Sequence, residues 1–316
     1  MLDISLKNFE SDVIKASMKH PVLLDIWAPW CGPCKSLGPV LERLETAYAG
    51  RFGLAKLNSD EQPEIAGQLS QMFGVRSIPF CVLFKDGQPV DGFVGALPEG
   101  EVRKFLDNHV PSEAEQASED EAAEAAEMLA GGDAAHAIEK LQEAVAIDPA
   151  NDAARGEYMR ALLTAGRWKE ARAVFQPVAG KAALDARLSA CGHWLHACEA
   201  AETARTPDQL RAAIAANKRD FDARFELAQR SFAQGDFAPA MDELLEILMR
   251  DKAWDGEKAR KTYVAILELA GAASGMTAEA PVPGAPSALQ IATQHRAPRG
   301  DELVERYRRK LSMVLF

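Results

Sequence analysis

Trp30-Cys31-Gly32-Pro33-Cys34 follows closely on the apolar run Val22-Leu23-Leu24-Asp25-Ile26-Trp27. The run predicts a buried strand, and the pentapeptide places two thiols just after that strand ends. A Cys-x-x-Cys pair serves either redox chemistry or a zinc site. Zinc would need a second pair of ligands, and the remaining cysteines, Cys81, Cys191 and Cys198, form no second Cys-x-x-Cys. The pattern therefore favours a redox centre.

The predicted helix after the strand gives the two thiols different roles. Cys31 is expected at the helix N-terminus, where unpaired backbone N–H groups stabilise a thiolate. Pro33 suits the first turn because its missing N–H would be unpaired there anyway. Cys34 returns beside Cys31 after one turn, close enough to form a disulfide. We predict Cys31 as the nucleophile, Cys34 as the resolving thiol and their disulfide as the redox group, without another cofactor. Trp30, Gly32 and Pro33 are candidate substrate contacts.

Asp25 puts an ionisable side chain inside the predicted buried strand. Burial disfavours the charged form and raises the pKa of a carboxyl group, which suits a proton acceptor for Cys34 near neutral pH. A purely structural buried acid is the alternative. Lys56, in the neighbouring strand pattern, is a candidate for tuning Asp25, and an ordinary exposed lysine is the alternative there.

Ile78-Pro79 opens the strand predicted from Phe80. A cis peptide bond at this point would turn the backbone toward the cysteine pair. The main-chain groups of Ile78 would then be free, and an extended client segment could pair with them as an added strand. A trans proline at the start of a strand is the alternative.

Bulk composition excludes several classes of protein. The 316 residues allow two or three domains, and a hydrophobic fraction of 47% supports a buried core. A net charge of −11 argues against nucleic acid or an anionic membrane as a general partner. Five cysteines are too few, and an odd number, for a secreted disulfide scaffold. We see no signal peptide and no apolar stretch long enough to span a membrane, and we expect a cytoplasmic protein.

Strand and helix patterns alternate over residues 1–110, the predicted first domain. The predicted helices are 8–19, 34–48, 63–73 and 98–106. The predicted strands are 22–27, 52–57, 80–84 and 90–94. The last two strands are joined as a hairpin through Lys85-Asp86-Gly87-Gln88. Such alternation predicts an α/β domain, with a mixed sheet covered by helices on both faces.

Residues 111–271 change to Ala-, Leu- and Glu-rich helical patterns. The stretch from Phe105 to Glu139 has no Lys or Arg. We interpret its acidic run as a solvated helix face, with an electrostatic partner site as the alternative. Segments starting at Gly132 and Gly166 lie 34 residues apart, and a third starts at Gly235. This spacing predicts a tetratricopeptide-like array of helical hairpins, whose groove is the expected functional surface.

The remaining residues divide at about position 300. Residues 272–300 hold four prolines among Ala, Gly and Ser, which predicts a flexible insertion. Residues 301–316 predict a basic amphipathic helix that either caps the array or docks into an apolar groove of another protein. The candidate partner contacts are Leu303, Tyr307, Arg308, Arg309, Leu311 and Leu315.

Three cysteines lie outside the redox motif. Cys81 falls in a strand pattern that predicts a buried apolar position. Cys191 and Cys198 share one helical stripe with Trp194 and Leu195, which predicts core positions for all four residues. Cys191 and Cys198 are about two helical turns apart, too far for one disulfide. His193 and His196 lie off their stripe, and we therefore expect no metal site.

With these motifs in view, residues 1–110 resemble thioredoxin. The matching segments are 22–27, 30–34, Ala55-Lys56-Leu57-Asn58, Ile78-Pro79 and Phe84-Lys85-Asp86-Gly87. The whole chain resembles the bacterial chaperedoxin family (CnoX/YbbN type), which joins such a domain to tetratricopeptide-like helices. The acidic helical body and the terminal Tyr307-Arg308-Arg309-Lys310-Leu311 support this narrower match.

The resemblance implies a holdase chaperone that is also a thiol–disulfide oxidoreductase. Family members protect unfolded or oxidised clients through mixed disulfides and pass them to the chaperonin GroEL through the C-terminal helix. Thioredoxin reductase is a further implied partner. A disulfide reductase whose array only recruits substrates is the alternative, while the intact Cys31–Cys34 pair argues against a pure scaffold.

The chain also departs from the family pattern. Some members lack a complete Cys-x-x-Cys, whereas this chain keeps both thiols. Some members carry another thiol after the third strand, where this chain has Ser59, so the role of that thiol does not transfer. The insertion at 272–300 precedes the docking helix and changes how that helix would be presented.

Overall fold

The computed structural model describes residues 2–272 and 299–315. It divides the chain into two compact units, Met1–Ala117 and Ser118–Phe316. Most of the predicted insertion, residues 273–298, lies outside the described residues.

The first unit is built on a five-stranded sheet. Its strands are β1 (Leu2–Asp3), β2 (Val22–Trp27), β3 (Gly53–Asn58), β4 (Phe80–Lys85) and β5 (Gln88–Val94). The strand order is β1-β3-β2-β4-β5, with β1, β3 and β2 parallel and with β4 and β5 antiparallel to their neighbours. The predicted mixed sheet and its terminal hairpin are therefore confirmed, and β2 lies at the centre.

Helices cover both faces of this sheet. A π-helical turn (Glu10–Lys15) and a 3₁₀ turn (Ala16–Met18) replace the predicted first helix, and α1 (Gly32–Ala47), α2 (Pro63–Phe73) and α3 (Glu99–Asp107) follow. Leu24 and Ile26 of β2 belong to the core on one side, while Leu23 belongs to the core beneath α1 and α3. Since side chains alternate along a strand, Asp25 faces the same side as Leu23, toward α1.

The second unit is helical throughout its described part. Its helices are α4 (Glu113–Ala130, which begins in the first unit), α5 (Ala134–Ile147), α6 (Asp152–Thr164), α7 (Trp168–Phe175), α8 (Ala186–Ala201), α9 (Pro207–Ala216), α10 (Phe221–Ala233), α11 (Phe237–Leu248), α12 (Trp254–Ala272) and α13 (Arg299–Leu315). All of these helices except α9 contribute to one apolar core, which runs from α4 to α13.

The predicted repeat glycines sit where helical hairpins turn. Gly132, Gly166 and Gly235 have φ of 86°, 74° and 79°, and the next helix begins two residues after each of them. A side chain at such a left-handed position would be strained, which is why helices commonly end at glycine. The 34-residue spacing thus corresponds to repeated hairpins.

The helical stripe that includes the distal cysteines is buried, as predicted. Cys191 and Cys198 are 2% and 8% exposed, and the Trp194 ring between them stacks on Phe232 with ring centroids 5.9 Å apart. None of the helices in the described residues has the length and apolar character that crossing a lipid bilayer requires.

Candidate redox site

The two motif cysteines form a disulfide at the start of α1. Cys31 is the N-cap residue, with extended backbone angles, and the backbone N–H of Cys34 donates to its sulfur over 3.2 Å. Pro33 lies in the first turn, where no backbone donor is lost. The sulfur of Cys31 therefore faces the unpaired N–H groups of the helix N-terminus, which favour negative charge.

The disulfide lies beneath an exposed rim. Cys31 and Cys34 are each 4% exposed, and Ala28, Trp27 and Ile78 pack around them. Trp30 is 70% exposed, and Gly32 and Pro33 are also exposed. The three candidate substrate contacts next to the cysteines are thus available at the surface.

The peptide bond between Ile78 and Pro79 is cis, which decides an alternative that the sequence left open. Ile78 packs against the cysteine pair, and the carbonyl of Pro79 accepts from the N–H of Gly95 over 2.8 Å. Pairing between β4 and its neighbours starts at Phe80, so Ile78 precedes the ladder. The loop therefore brings a main-chain edge next to the disulfide.

Asp60 is a neighbour of the site that sequence reasoning missed. The indole N–H of Trp30 donates to its carboxylate, at 3.0 Å from Oδ2 and 3.3 Å from Oδ1. This bond orients an otherwise exposed aromatic ring beside the cysteine motif. A carboxylate in the loop after a strand carries no sequence signal for such a contact.

Asp25 is buried in β2, as predicted, at 2% exposure. The sheet register places Lys56 of β3 on one side of it and Cys81 of β4 on the other. Burial raises the pKa of the Asp25 carboxyl to about 6, against smaller opposing effects from the Lys56 charge and a hydrogen bond from Cys81. A carboxyl group with such a pKa exchanges a proton near neutral pH.

Lys56 is not an ordinary exposed lysine. Its side chain is 13% exposed, and its Nζ lies 2.6 Å from Oε1 of Glu42 in α1. Its charge also lowers the pKa of Asp25. Glu42 was not predicted, because only the packing of α1 over β3 brings it to Lys56.

Cys81 is more than the apolar filler that its pattern predicted. It is fully buried, and its sulfur lies 3.6 Å from Oδ1 of Asp25. Burial and the Asp25 charge raise the pKa of the thiol well above its ordinary value, so the thiol stays protonated and donates to the carboxylate.

The distal thiols lie apart from this chemistry. Burial raises the pKa of Cys191 to about 12 and that of Cys198 to about 11, so neither forms a reactive thiolate near neutral pH. Among residues 2–272 and 299–315, no group of His, Cys, Asp or Glu side chains is arranged to hold a metal ion.

The C-terminal helix α13 divides its predicted contact residues between two environments. Tyr307 is 2% exposed, and Leu303 and Leu311 are half-buried against the core of the array. Arg308 and Arg309 are exposed, and Leu315 is half-buried. The apolar stripe therefore caps the array, and Tyr307 is not available to a partner while the helix is packed in this way.

In comparisons with known proteins, residues 1–108 match a family model described as thioredoxin. Thioredoxin from Chlorobaculum thiosulfatiphilum is 47% identical over 104 residues, which cover 91% of that protein and 33% of this chain. Thioredoxin from Haemophilus influenzae is 44% identical over 110 residues, or 97% of that protein and 35% of this chain. The chain belongs to the thioredoxin family. Its thioredoxin domain carries the Cys31–Cys34 disulfide that thiol–disulfide exchange requires.

The helices that follow the thioredoxin domain match a second kind of family. Two models described as tetratricopeptide repeat match residues 119–190 and 200–280. The predicted combination of a thioredoxin fold and a tetratricopeptide array is therefore confirmed. The related thioredoxins correspond to the first domain alone, since each covers about a third of the chain.

Proposed function

We propose that this protein is a chaperone of the chaperedoxin type, in which the thioredoxin domain exchanges disulfides with client proteins while the tetratricopeptide array holds their non-native segments. The observation that carries the proposal is the joining, in one chain, of a complete redox disulfide to a helical array with exposed apolar side chains. A cytoplasmic location belongs to the same proposal.

The thiol chemistry follows from the positions of the two cysteines. In the reduced domain, the Cys31 thiolate attacks one sulfur of a client disulfide and forms a mixed disulfide, and the other client sulfur leaves as a thiolate that takes a proton from water. Asp25 accepts the proton of Cys34, and the Cys34 thiolate then attacks the sulfur of Cys31. This attack closes the Cys31–Cys34 disulfide and releases the second client thiolate. Two electrons pass from the domain to the client.

The domain must be reduced again after each cycle. We propose thioredoxin reductase as the electron donor, since the exposed motif residues Gly32 and Pro33 leave the disulfide approachable. Without a donor, each reduced domain would reduce a single client disulfide and then remain oxidised, and only the array would continue to work.

The array offers a groove between α8 and α12 for non-native segments. The groove has a volume of about 650 Å³, and its exposed apolar residues include Leu184 and Val264, which are 91% and 49% exposed. Arg260 and Glu268 contribute opposite charges to its wall. An apolar centre with mixed charges suits extended segments of varied sequence, which is what a holdase binds.

Transfer to the chaperonin GroEL would use the outer face of α13. Arg308 and Arg309 are exposed there, and Met313 is 80% exposed. The apolar stripe through Tyr307 packs against the core of the array, so we assign docking to this outer face rather than to the stripe.

Light scattering from a heat-unfolding client tests the chaperone half. A Cys31→Ala, Cys34→Ala double variant should still suppress aggregation, because the array does not need the thiols. If the wild-type protein suppresses nothing but reduces insulin with thioredoxin reductase, the protein is instead a reductase whose array recruits substrates. Wild type that fails both assays would contradict the redox proposal as well.

A further inference from the structure

The sheet register puts a third cysteine of the thioredoxin domain directly beside its buried acid. Asp25 of β2 pairs with Cys81 of β4, so both side chains lie on the same face of the sheet. The Cys81 sulfur lies 3.6 Å from Oδ1 of Asp25, within the range of a sulfur hydrogen bond, and the cysteine is fully buried. Nothing in the thiol-exchange cycle described above uses this thiol.

We propose that Cys81 is a positioning residue, whose S–H group donates to the Asp25 carboxylate and holds it ionised and oriented to take the proton of Cys34. This role rests on the proposed redox function, because it concerns the group that acts in the resolving step. Cys81 acts only through Asp25 and takes no part in electron transfer.

The charged and titratable groups around Asp25 leave a defined place for such a donor. Lys56 of β3 pairs with Asp25 in the sheet, and its ammonium group donates to Glu42 of α1. Cys81 of β4 pairs with Asp25 on the other side, and α1 also carries Cys34. The next strand, β5, places the apolar Phe93 opposite Cys81. Within residues 2–272 and 299–315, the side chain that donates a hydrogen bond to Oδ1 of Asp25 is the Cys81 thiol.

A thiol meets two demands at this position that other side chains meet only in part. It is small and apolar enough for the core beneath α1 and α3, where it packs with Leu23 and Leu83. It also remains protonated there, because burial and the neighbouring carboxylate raise its pKa. An aliphatic residue would fill the same space but leave Oδ1 without this donor.

The sign of the effect follows from which form of Asp25 the bond stabilises. A hydrogen bond to the carboxylate favours the charged form, and its loss raises the pKa of Asp25 further above about 6. Asp25 would then stay protonated to higher pH. The acid limb of the resolving step, which is the pH range in which its rate falls as Asp25 becomes protonated, would therefore move to higher pH. Because a thiol is a weak donor, we expect a shift of about half a pH unit.

The test titrates Asp25 in the full oxidised chain by carbon NMR, using aspartate labelled at the carboxyl group. The Asp25 signal is assigned by its loss in Asp25→Asn. Cys81→Val, which removes the donor, should move the midpoint upward by about half a pH unit. Cys81→Ser, which keeps a donor, should leave the midpoint at or below the wild-type value. Cys198→Ser, at a buried thiol of the second unit, is the matched control and should not move it.

A second readout keeps the test decisive if Cys81→Val does not fold. The S–H stretching band of Cys81, assigned by its loss in Cys81→Ser, should shift in the wild-type protein as Asp25 titrates. The proposal is overturned if the pH midpoint of the Asp25 titration is unchanged in Cys81→Val. It is also overturned if the S–H stretching band of Cys81 does not shift as Asp25 titrates.

These readouts are independent of the proposed redox function. A wild type without insulin-reducing activity would remove that function while leaving the Asp25 titration measurable. If the wild type is active, its acid limb of insulin reduction should move upward in Cys81→Val and not in Cys81→Ser. An acid limb that does not move in Cys81→Val contradicts the positioning role of Cys81 and leaves the proposed redox function intact.

Discussion

The hydroxyl of Tyr263 donates to the backbone carbonyl of Tyr307 over 2.8 Å, inside the second unit. The hydroxyl of Tyr307 donates in turn to the carbonyl of Ala238 over 3.3 Å. These bonds join α13 to α12 and α11, and both tyrosine rings are buried. The C-terminal helix is thus an integral layer of the array, although residues 273–298 separate it from α12 along the chain.

Truncation of Tyr307 should destabilise the second unit. Tyr307→Ala leaves a cavity and removes the hydrogen bond from the Tyr307 hydroxyl to Ala238, and we expect a loss of about 3 to 5 kcal/mol in the free energy of unfolding of this unit. Hydrogen exchange of α12 and α13 in the full chain measures the effect. Arg308→Ala, one residue along on the exposed face, is the control and should change the free energy by less than about 0.5 kcal/mol. Equal effects of the two substitutions would contradict the capping role.

Chaperonin docking should depend on the exposed arginines of α13. Arg308→Glu with Arg309→Glu reverses two exposed charges and leaves the buried stripe intact, and we expect binding to immobilised GroEL to fall about tenfold. Lys218→Glu with Arg219→Glu, an exposed pair between α9 and α10, makes the same charge change elsewhere as a control. Docking that survives the α13 variant but not the control pair would refute this assignment. Deleting residues 301–316 is a weaker test, because it also removes Tyr307 from the core.

Local patterns in the sequence predicted most of the fold. β2 and α2 occupy the predicted residues, because an apolar run and a proline-initiated helical period are local signals. β1, at Leu2–Asp3, was missed because two residues are too short to show alternation. The first predicted helix contains a π-helical turn, which has no distinct sequence pattern.

The candidate site was predicted only where chemistry is encoded in adjacent residues. The Cys31–Cys34 pair and the buried Asp25 were evident from their spacing and from the apolar run. The contacts of Glu42 with Lys56 and of Cys81 with Asp25 depend on helix packing and strand register. Register is set by pairing between residues 56 positions apart, which a single sequence does not display.

Ionised Asp25 should cost stability, and its removal should stabilise the thioredoxin domain. Its pKa rises from 3.8 to about 6 on folding, so the folded state binds the proton more tightly and the cost is present above pH 6. Asp25→Asn should therefore raise the free energy of unfolding by about 3 kcal/mol at pH 7.5, from the size of the pKa difference. The gain should shrink as the pH falls from 6 and vanish near pH 4.

Hydrogen exchange of β2 amides in the full oxidised chain measures this gain, because these buried amides exchange through unfolding of the whole unit. Asp242→Asn, at an exposed carboxylate of the second unit, is the control. A gain of the same size at pH 4 and pH 7.5 would show that charge burial is not the cause.

Removal of the resolving thiol should trap clients. Cys34→Ser leaves the Cys31 thiolate able to form a mixed disulfide but unable to release it through a second thiol. Affinity purification under non-reducing conditions should then recover client proteins that dithiothreitol releases. The double variant Cys31→Ser, Cys34→Ser is the control. Recovery of the same proteins with both variants would argue against mixed disulfides.

The account rests on Cys31 being the reactive, ionised thiol. The most direct measurement is the rate at which iodoacetamide alkylates each cysteine of the reduced full chain at pH 7, followed by peptide mapping, with a free cysteine derivative as reference. We predict that Cys31 reacts first and at least about fivefold faster than the reference, while the buried Cys81, Cys191 and Cys198 stay unmodified. Alkylation of Cys31 at or below the reference rate, or of Cys34 ahead of it, would contradict the account.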